Sequence, residues 1–402
     1  MEWIIILFPF VLLVVDFWKE RKIYSPAFLF NGIFFVTLFL YSFKLSNIQH
    51  DLSTRTVLLL FLCELGFNLP IFISKLNEKP IKLVEYKKSE KLLLSSKKEM
   101  IIFYIIFAMF MVELVYCKGC PLIWKLTGNK KTYKDFGIPS FNGLLHAFIT
   151  LMGAYSIFKK KCIYKYFYLT LALLMITRQV IISIFVQGLF FYLYRHGLNK
   201  KLILTILVGG VIGIIAFSVA GNMRTGESHF IKVSQFKKEY DWIPTSIKWV
   251  YSYMCFSVSN LNKLVGLTDG FVNFGASIFN QLVPSALNFG IVERQTFYYR
   301  VEINFTVGTF APEIYLDFGL IGITIFCIAL GFISNIIYKK VKEGSDLMGL
   351  MYMVVSHNIV LLFFTNMFLH LPIMFELVLI PLIFMIDYKK ITQRFLKIFQ
   401  KN

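Results

Sequence analysis

Leu202 to Ala220 reads LILTILVGGVIGIIAFSVA, a run with no charged residue, preceded by Lys200 and Lys201 and followed by Arg224. Roughly 17 to 25 apolar residues carry a helix across the hydrocarbon core of a bilayer, so this stretch predicts a membrane span. Comparable runs recur from end to end. Spans are predicted near 3–17, 26–43, 56–74, 100–117, 141–158, 163–176, 180–194, 202–220, 314–338, 347–368 and 371–386, the sixth and seventh divided only by Thr177-Arg178-Gln179. Composition agrees: 57% of residues are hydrophobic and 16% charged, against about 25% charged in a soluble domain. Mean hydropathy is +0.66. The expected fold is therefore an all-α polytopic integral membrane protein with about eleven transmembrane helices. No block is long and polar enough to fold alone, so 1–402 reads as a single membrane domain, with a long loop at 221–313 and a basic tail at 387–402.

The six cysteines are scattered and show no disulfide framework. Cys117-Lys-Gly-Cys120 is a lone CxxC, more consistent with incidental cysteines at a span end than with a metal or redox site. A basic leader and a small-residue cleavage site are both missing from the start of the chain, which predicts no cleavable signal peptide.

Orientation follows from where Lys and Arg fall among the short connections. Those at 18–24, 75–99, 159–165, 195–201, 339–346 and after Asp387 hold 26 such residues, and the alternate set holds 16, eight of them in the long loop. The first set is expected in the cytoplasm, with the C-terminus cytoplasmic and the N-terminus outside. The net charge of +19 thus belongs beside anionic membrane lipid and does not indicate nucleic acid.

The 221–313 loop then lies outside. A connection of that length usually holds a functional element. Within it, Trp249, Tyr253, Phe256 and Asn260 are spaced three or four apart over Ser246 to Gly266, which predicts a helix lying in the interface or dipping into the bilayer against lipid or the spans. The loop carries 17 aromatics in 93 positions, no richer than the chain's 17%, so composition does not mark it as a sugar-stacking domain. Eight Lys/Arg face seven acids there, so any anion site must rest on particular arginines.

Ionisable groups within spans are costly and mark cavities or partners. Glu113, His146, Arg178, Asp317, His370 and Glu376 all fall toward the outer leaflet and predict an outward-facing polar cavity. Glu64 and His357 fall mid-span and keep a transporter reading open.

Arg294 to Gly322 reads RQTFYYRVEINFTVGTFAPEIYLDFGLIG. Through Asn304, Gly308, Thr309, Glu313, Tyr315, Asp317, Phe318, Gly319 and Gly322 this segment resembles the Wzy-type oligosaccharide repeat-unit polymerases of O-antigen and capsule assembly. The helical pair Tyr164 to Tyr194 with Thr177-Arg178 at its turn, Arg224 after the eighth span, and Ser25-Pro26 before the second are similar to that family too. The resemblance implies glycosyl transfer at the outer face of a bacterial cytoplasmic membrane, from one polyprenyl-pyrophosphate-linked oligosaccharide to a hydroxyl of another. Guanidinium groups suit a departing pyrophosphate, which makes Arg178, Arg224, Arg294 and Arg300 binding candidates, with Asn304 and Tyr315. Asp317, Glu313, Glu302 and His370 are candidate bases, although Pro312-Glu313 also reads as the first turn of a helix. No metal or cofactor is implied. The expected partners are membrane lipid and the pathway's own chain-length regulator and flippase. The rival readings are a lipid-linked oligosaccharide flippase and an O-antigen ligase.

Overall fold

The computed structural model describes residues 2–76, 94–158, 164–284, 287, 295 and 298–385; of Glu2, Phe158 and Arg224 only the backbone is described. Its helices are α1 (Glu2–Glu20), α2 (Pro26–Ser42), α3 (Thr54–Leu76), α4 (Ser96–Cys117), α5 (Pro121–Leu126), α6 (Phe141–Phe158), α7 (Tyr164–Leu174), α8 (Arg178–His196), α9 (Lys200–Thr225), α10 (Glu227–Ser234), α11 (Thr245–Leu267), α12 (Ala276–Leu282), α13 (Pro312–Lys342), α14 (Asp346–Val360) and α15 (Leu371–Phe384). They fall into two compact units. The first comprises Met1–Leu83, Tyr192–Lys339 and Val355–His370, the second Val84–Phe191, Lys340–Val354 and Leu371–Asn402.

Each of the eleven predicted spans coincides with a helix, but the count of eleven membrane crossings is not reproduced. Among the described residues four helices, α3, α4, α9 and α13, are long and apolar enough to cross a bilayer, and α2, α6 and α15 are shorter apolar helices. The predicted sixth span is helical over only eleven residues, about 16 Å at 1.5 Å per residue, well short of a hydrocarbon core. The predicted tenth ends at Val360 rather than 368, because the chain there turns so that Leu362 O can accept the Phe310 N–H at 3.0 Å.

In the first unit, Ser25-Pro26 starts α2 as the sequence suggests: Ser25 caps the helix by accepting Phe28 N–H at 3.1 Å, and Pro26 takes the first turn. The same hydroxyl donates to Asp16 of α1, whose other oxygen accepts Lys75 Nζ of α3 at 2.5 Å. One buried carboxylate thus ties three helices at one end. Tyr24, Tyr194 and Tyr338 gather at that end as well, with Tyr338 donating to Glu20 at 3.4 Å. At the opposite end the 43–53 connection meets the long loop, through Ser46 Oγ to Ser234 O at 2.6 Å and Asn262 to Asp51 O at 3.0 Å. The two sets of connections separated by the charge count therefore also separate in space within this unit.

α3 and α13 cross at glycines. A Cβ on Gly66 would meet Thr324 O at 3.1 Å, and one on Gly331 would meet Phe67 O at 2.1 Å. Phe67 itself stacks on Phe30 of α2 at 3.9 Å. The predicted outer-loop helix exists as α11, one residue longer at each end, and it packs on α9, α2 and α3. Its expected aromatic stripe is its packing face: Trp249 stacks on Phe230 at 3.8 Å, Tyr253 meets Phe217 at 4.8 Å and Phe256 meets Phe305 at 4.6 Å.

The second unit is built around α6, which packs on α15, α7 and α4. Gly143 lies against Pro372 and Phe375, and Gly153 against Ile184 of α8. The helix crossing at Gly331 generates a test. Gly331→Ala forces a methyl into the α3 backbone and should cost about 1–3 kcal/mol, whereas Gly210→Ala on α9, where a Cβ meets nothing within 4 Å, should be neutral or slightly stabilising. Thermal unfolding of the two variants in detergent checks the contrast, and equal melting temperatures would refute the close crossing.

Candidate functional site

The segment from Asn304 to Gly322 folds as a single junction in the first unit. Thr309 has a left-handed φ of 69°, pairs with Thr365 in an isolated parallel bridge, and is followed by the Phe310 bond to Leu362. Gly308 is required because a Cβ there would lie 2.8 Å from Pro312 Cγ. Pro312 and Glu313 then form the first turn of α13.

Two turns on, α13 breaks. Gly319 adopts φ 57° and ψ −154°, so the carbonyls just before it lose their normal partners four residues ahead. A neighbouring turn uses them: Leu316 O accepts Val272 N–H at 2.8 Å and Asn273 N–H at 3.0 Å. Gly270 allows that approach, since a Cβ on it would fall 2.5 Å from Gly319 Cα. Tyr315, buried, donates its hydroxyl to Thr268 O at 2.7 Å. Gly322 makes room for Phe318, whose Cβ would otherwise sit 2.2 Å from a Cβ at 322. Every position in the stretch from Gly308 to Gly322 that carried the sequence resemblance, Glu313 aside, therefore has a part in shaping this junction.

Asp317 is fully buried, with Oδ1 accepting Ser277 N–H at 3.0 Å and Oδ2 accepting Ile278 N–H at 2.9 Å. Those are early N–H groups of α12, whose own cap residue, Gly275, makes no side-chain cap bond. Asp317 is thus the N-terminal cap of α12 supplied from another helix, with its charge at the positive end of the helix dipole. Both oxygens of Asp317 are thereby engaged in positioning α12. α12 packs in turn against the Met367–Leu369 turn, and His370, exposed, follows directly.

Around this junction α11 secures the rest of the loop. Asn260 donates to Phe305 O at 2.8 Å and Val307 O at 2.6 Å and accepts Val301 N–H at 2.7 Å. Lys263 donates to Arg300 O at 2.7 Å. Glu302, half-buried, accepts Ile303 N–H at 2.9 Å and the exposed Asn304 side chain at 3.4 Å. The sequence reading passed over one group here: Arg55, in the first turn of α3, pairs with Asp269 and lies beside the Tyr315 hydroxyl. Its signal was a lone cation directly preceding a span. Nearby, Lys44 donates to Asp51 and holds that carboxyl below the usual range.

Four further candidates belong to the second unit. Glu113, buried, accepts Asn142 Nδ2 at 2.8 Å, and Glu376, buried on α15, accepts Gln187 Nε2 of α8 at 2.7 Å. His146 is half-buried on α6, and Arg178, half-buried, opens α8. The six groups of the expected outward cavity are thus divided: Glu113, His146, Arg178 and Glu376 in one unit, Asp317 and His370 in the other. Arg224 ends α9, where only its backbone is described, and Arg294 lies outside the described residues. Glu64 is fully buried with neither carboxylate oxygen hydrogen-bonded, and His357 pairs with Asn358 at 3.0 Å. Among the described residues no three of His, Cys, Asp and Glu converge as a metal site.

No curated protein and no solved structure matches the chain. A family model described as "Putative O-antigen polymerase" matches residues 28–375. That match takes in most of α2, α11, the junction at Gly319 and α14, and with the apolar helices it makes this a multi-pass membrane protein acting on a lipid-linked oligosaccharide. The chain belongs to the O-antigen polymerase family, whose members polymerise repeat units into surface polysaccharide.

Proposed function

We propose that the chain joins polyprenyl-pyrophosphate-linked repeat units at the outer face of the bacterial cytoplasmic membrane, without a metal ion, its N-terminus outside and its C-terminus in the cytoplasm. A sugar hydroxyl of the incoming unit attacks the anomeric carbon that joins the growing polymer to its carrier. The bond to pyrophosphate breaks, polyprenyl pyrophosphate leaves, and the hydroxyl proton passes to a base. The observation that carries this reading is the family match over a segment folded as one junction, with Asp317 capping α12 and α12 packed beneath His370.

That geometry favours His370 as the base and Asp317 as the residue that positions it. Glu302, whose carboxylate already accepts a backbone N–H, is the next candidate. Glu313 serves the first turn of α13. Arg178, Arg224, Arg294 and Arg300 remain the proposed cations for pyrophosphate, where paired guanidinium donors stabilise the charge that gathers on the leaving group. Arg178 and Arg224 are carried by α8 and α9, and the backbone carbonyl of Arg300 is held by Lys263.

Purified protein given its lipid-linked repeat unit should yield a ladder of products, and the ladder should persist in EDTA. Monomeric units that only cross vesicle bilayers would instead establish a flippase. His370→Ala should lower kcat by about a hundredfold or more with an unchanged melting temperature. Asp317→Ala should cost about 1–3 kcal/mol of stability, because it leaves two buried N–H groups unpaired. A His370→Ala variant with full ladder length would remove the base assignment.

A further inference from the structure

Arg55 pairs with Asp269 at the head of the turn that carries Phe271 and Phe274 beside the Gly319 junction, and the function proposed above uses none of the three. The Arg55–Asp269 pair is open to solvent, its side chains 46% and 82% exposed. A solvent-exposed ion pair contributes little, so a better anion displaces the aspartate readily. Phosphate is such an anion, because its oxygens match the paired donors of a guanidinium. Arg55 lies one residue into α3, a helix of membrane-crossing length, which puts the cation where a lipid phosphate would lie.

The turn that supplies Asp269 also holds two aromatic rings outward. Phe271 and Phe274 have left-handed φ values of 56° and 46°, a conformation unfavourable for a bulky residue. The bonds from Val272 and Asn273 to Leu316 O fix it. The result is exposure rather than burial: Phe271 is 45% and Phe274 76% exposed. Phe271 lies over Gly319, where a Cβ would meet its ring at 2.7 Å. The part of α13 beyond the break continues this surface with Ile321 and Ile325, both exposed.

We propose that Arg55 with Phe271 and Phe274 docks the phosphate end of the polyprenyl carrier, Arg55 exchanging Asp269 for a carrier phosphate while the two rings flank the first isoprene units. A cation paired to a turn that carries two solvent-facing rings, next to membrane-length helices, suits an amphiphile with an anionic head and a stiff, methyl-branched chain. Naming the carrier rests on the polymerase reading, whereas the docking surface itself does not.

The test uses the full-length protein in nanodiscs and a long-chain polyprenyl pyrophosphate as probe, with retained lipid read by native mass spectrometry against phosphatidylglycerol as competitor. Arg55→Gln should lower retention about tenfold or more, Arg55→Lys should restore part of it, and Asp269→Asn should raise it by removing the internal competitor. The double variant Phe271→Leu, Phe274→Leu should weaken retention of polyprenyl pyrophosphate and of uncharged polyprenol alike. Melting temperatures near wild type would show that these variants fold. Equal retention by Arg55→Gln and wild type, or equal competition by phosphatidylglycerol, would overturn the proposal and leave only a general interfacial contact. If wild type makes no ladder yet retains the probe, the polymerase reading falls and the docking site stands.

Discussion

The carboxamide of Asn260 bonds three backbone groups of a segment that has no regular secondary structure, two carbonyls and one N–H between Val301 and Val307. Non-helical backbone beside a membrane must find its hydrogen bonds within the protein, since lipid offers none. Two residues along α11, and so on a different side of the helix, Asn262 does the same for the connection before α3: it accepts Ser53 N–H at 2.9 Å and Thr56 Oγ1 at 2.8 Å and donates to Asp51 O. α11 is therefore the post to which two connections are fixed. Tyr251 and Ser257 extend the pattern, donating to Gln49 at 2.8 Å and Phe363 O at 2.7 Å. Burial of α11 and order in the loop are one property.

The break at Gly319 depends on that post and gives it a purpose. An unbroken α13 would keep the Leu316 carbonyl inside its own helix, and the 268–274 turn would have nothing to bond. Once broken, the helix offers one carbonyl to two amides and one carboxylate to two more, so a short helix that cannot cap itself is capped. The left-handed residues at Thr309, Phe271 and Phe274 sit where such bonds over-determine the backbone, the condition under which local strain persists.

Most of this fold was legible in the sequence, because long apolar runs, Ser25-Pro26 and the spacing Trp249, Tyr253, Phe256, Asn260 are local signals. What was not legible depends on residues far apart. Asp317 read as an ionisable group in search of a cavity because its partners, the amides of Ser277 and Ile278, lie about forty positions earlier and carry no sequence mark. Glu113 and Glu376 read alike, and their partners Asn142 and Gln187 are neutral amides that a search for charges passes over. The span count is less legible for a different reason. Periodicity shows that a helix exists, but α7 closes in a local turn at Met175 to Thr177 and α14 stops where the chain turns to bond Phe310.

The near-neutral loop follows from the same preference for backbone partners. Lys263 is held by a carbonyl, while Asp317 and Glu302 are held by amide N–H groups, so these three charges are fixed by backbone dipoles, whereas Asp269 pairs with Arg55 and Asp241 with Lys248. A carboxylate fixed by amides keeps a set direction, because the amides belong to elements whose positions are already determined, whereas an ion pair of long side chains does not. A site that must stabilise charge appearing only during the reaction gains from dipoles oriented in advance, since they need no rearrangement when the charge forms. Among the described residues Phe230, Trp249 and Tyr253 pack α11 against α10 and α9, and Phe271 covers the Gly319 turn. The capacity of the segment for chemistry thus lies in polar groups, Asn260, Asp317 and Glu302, whose directions are set by backbone partners.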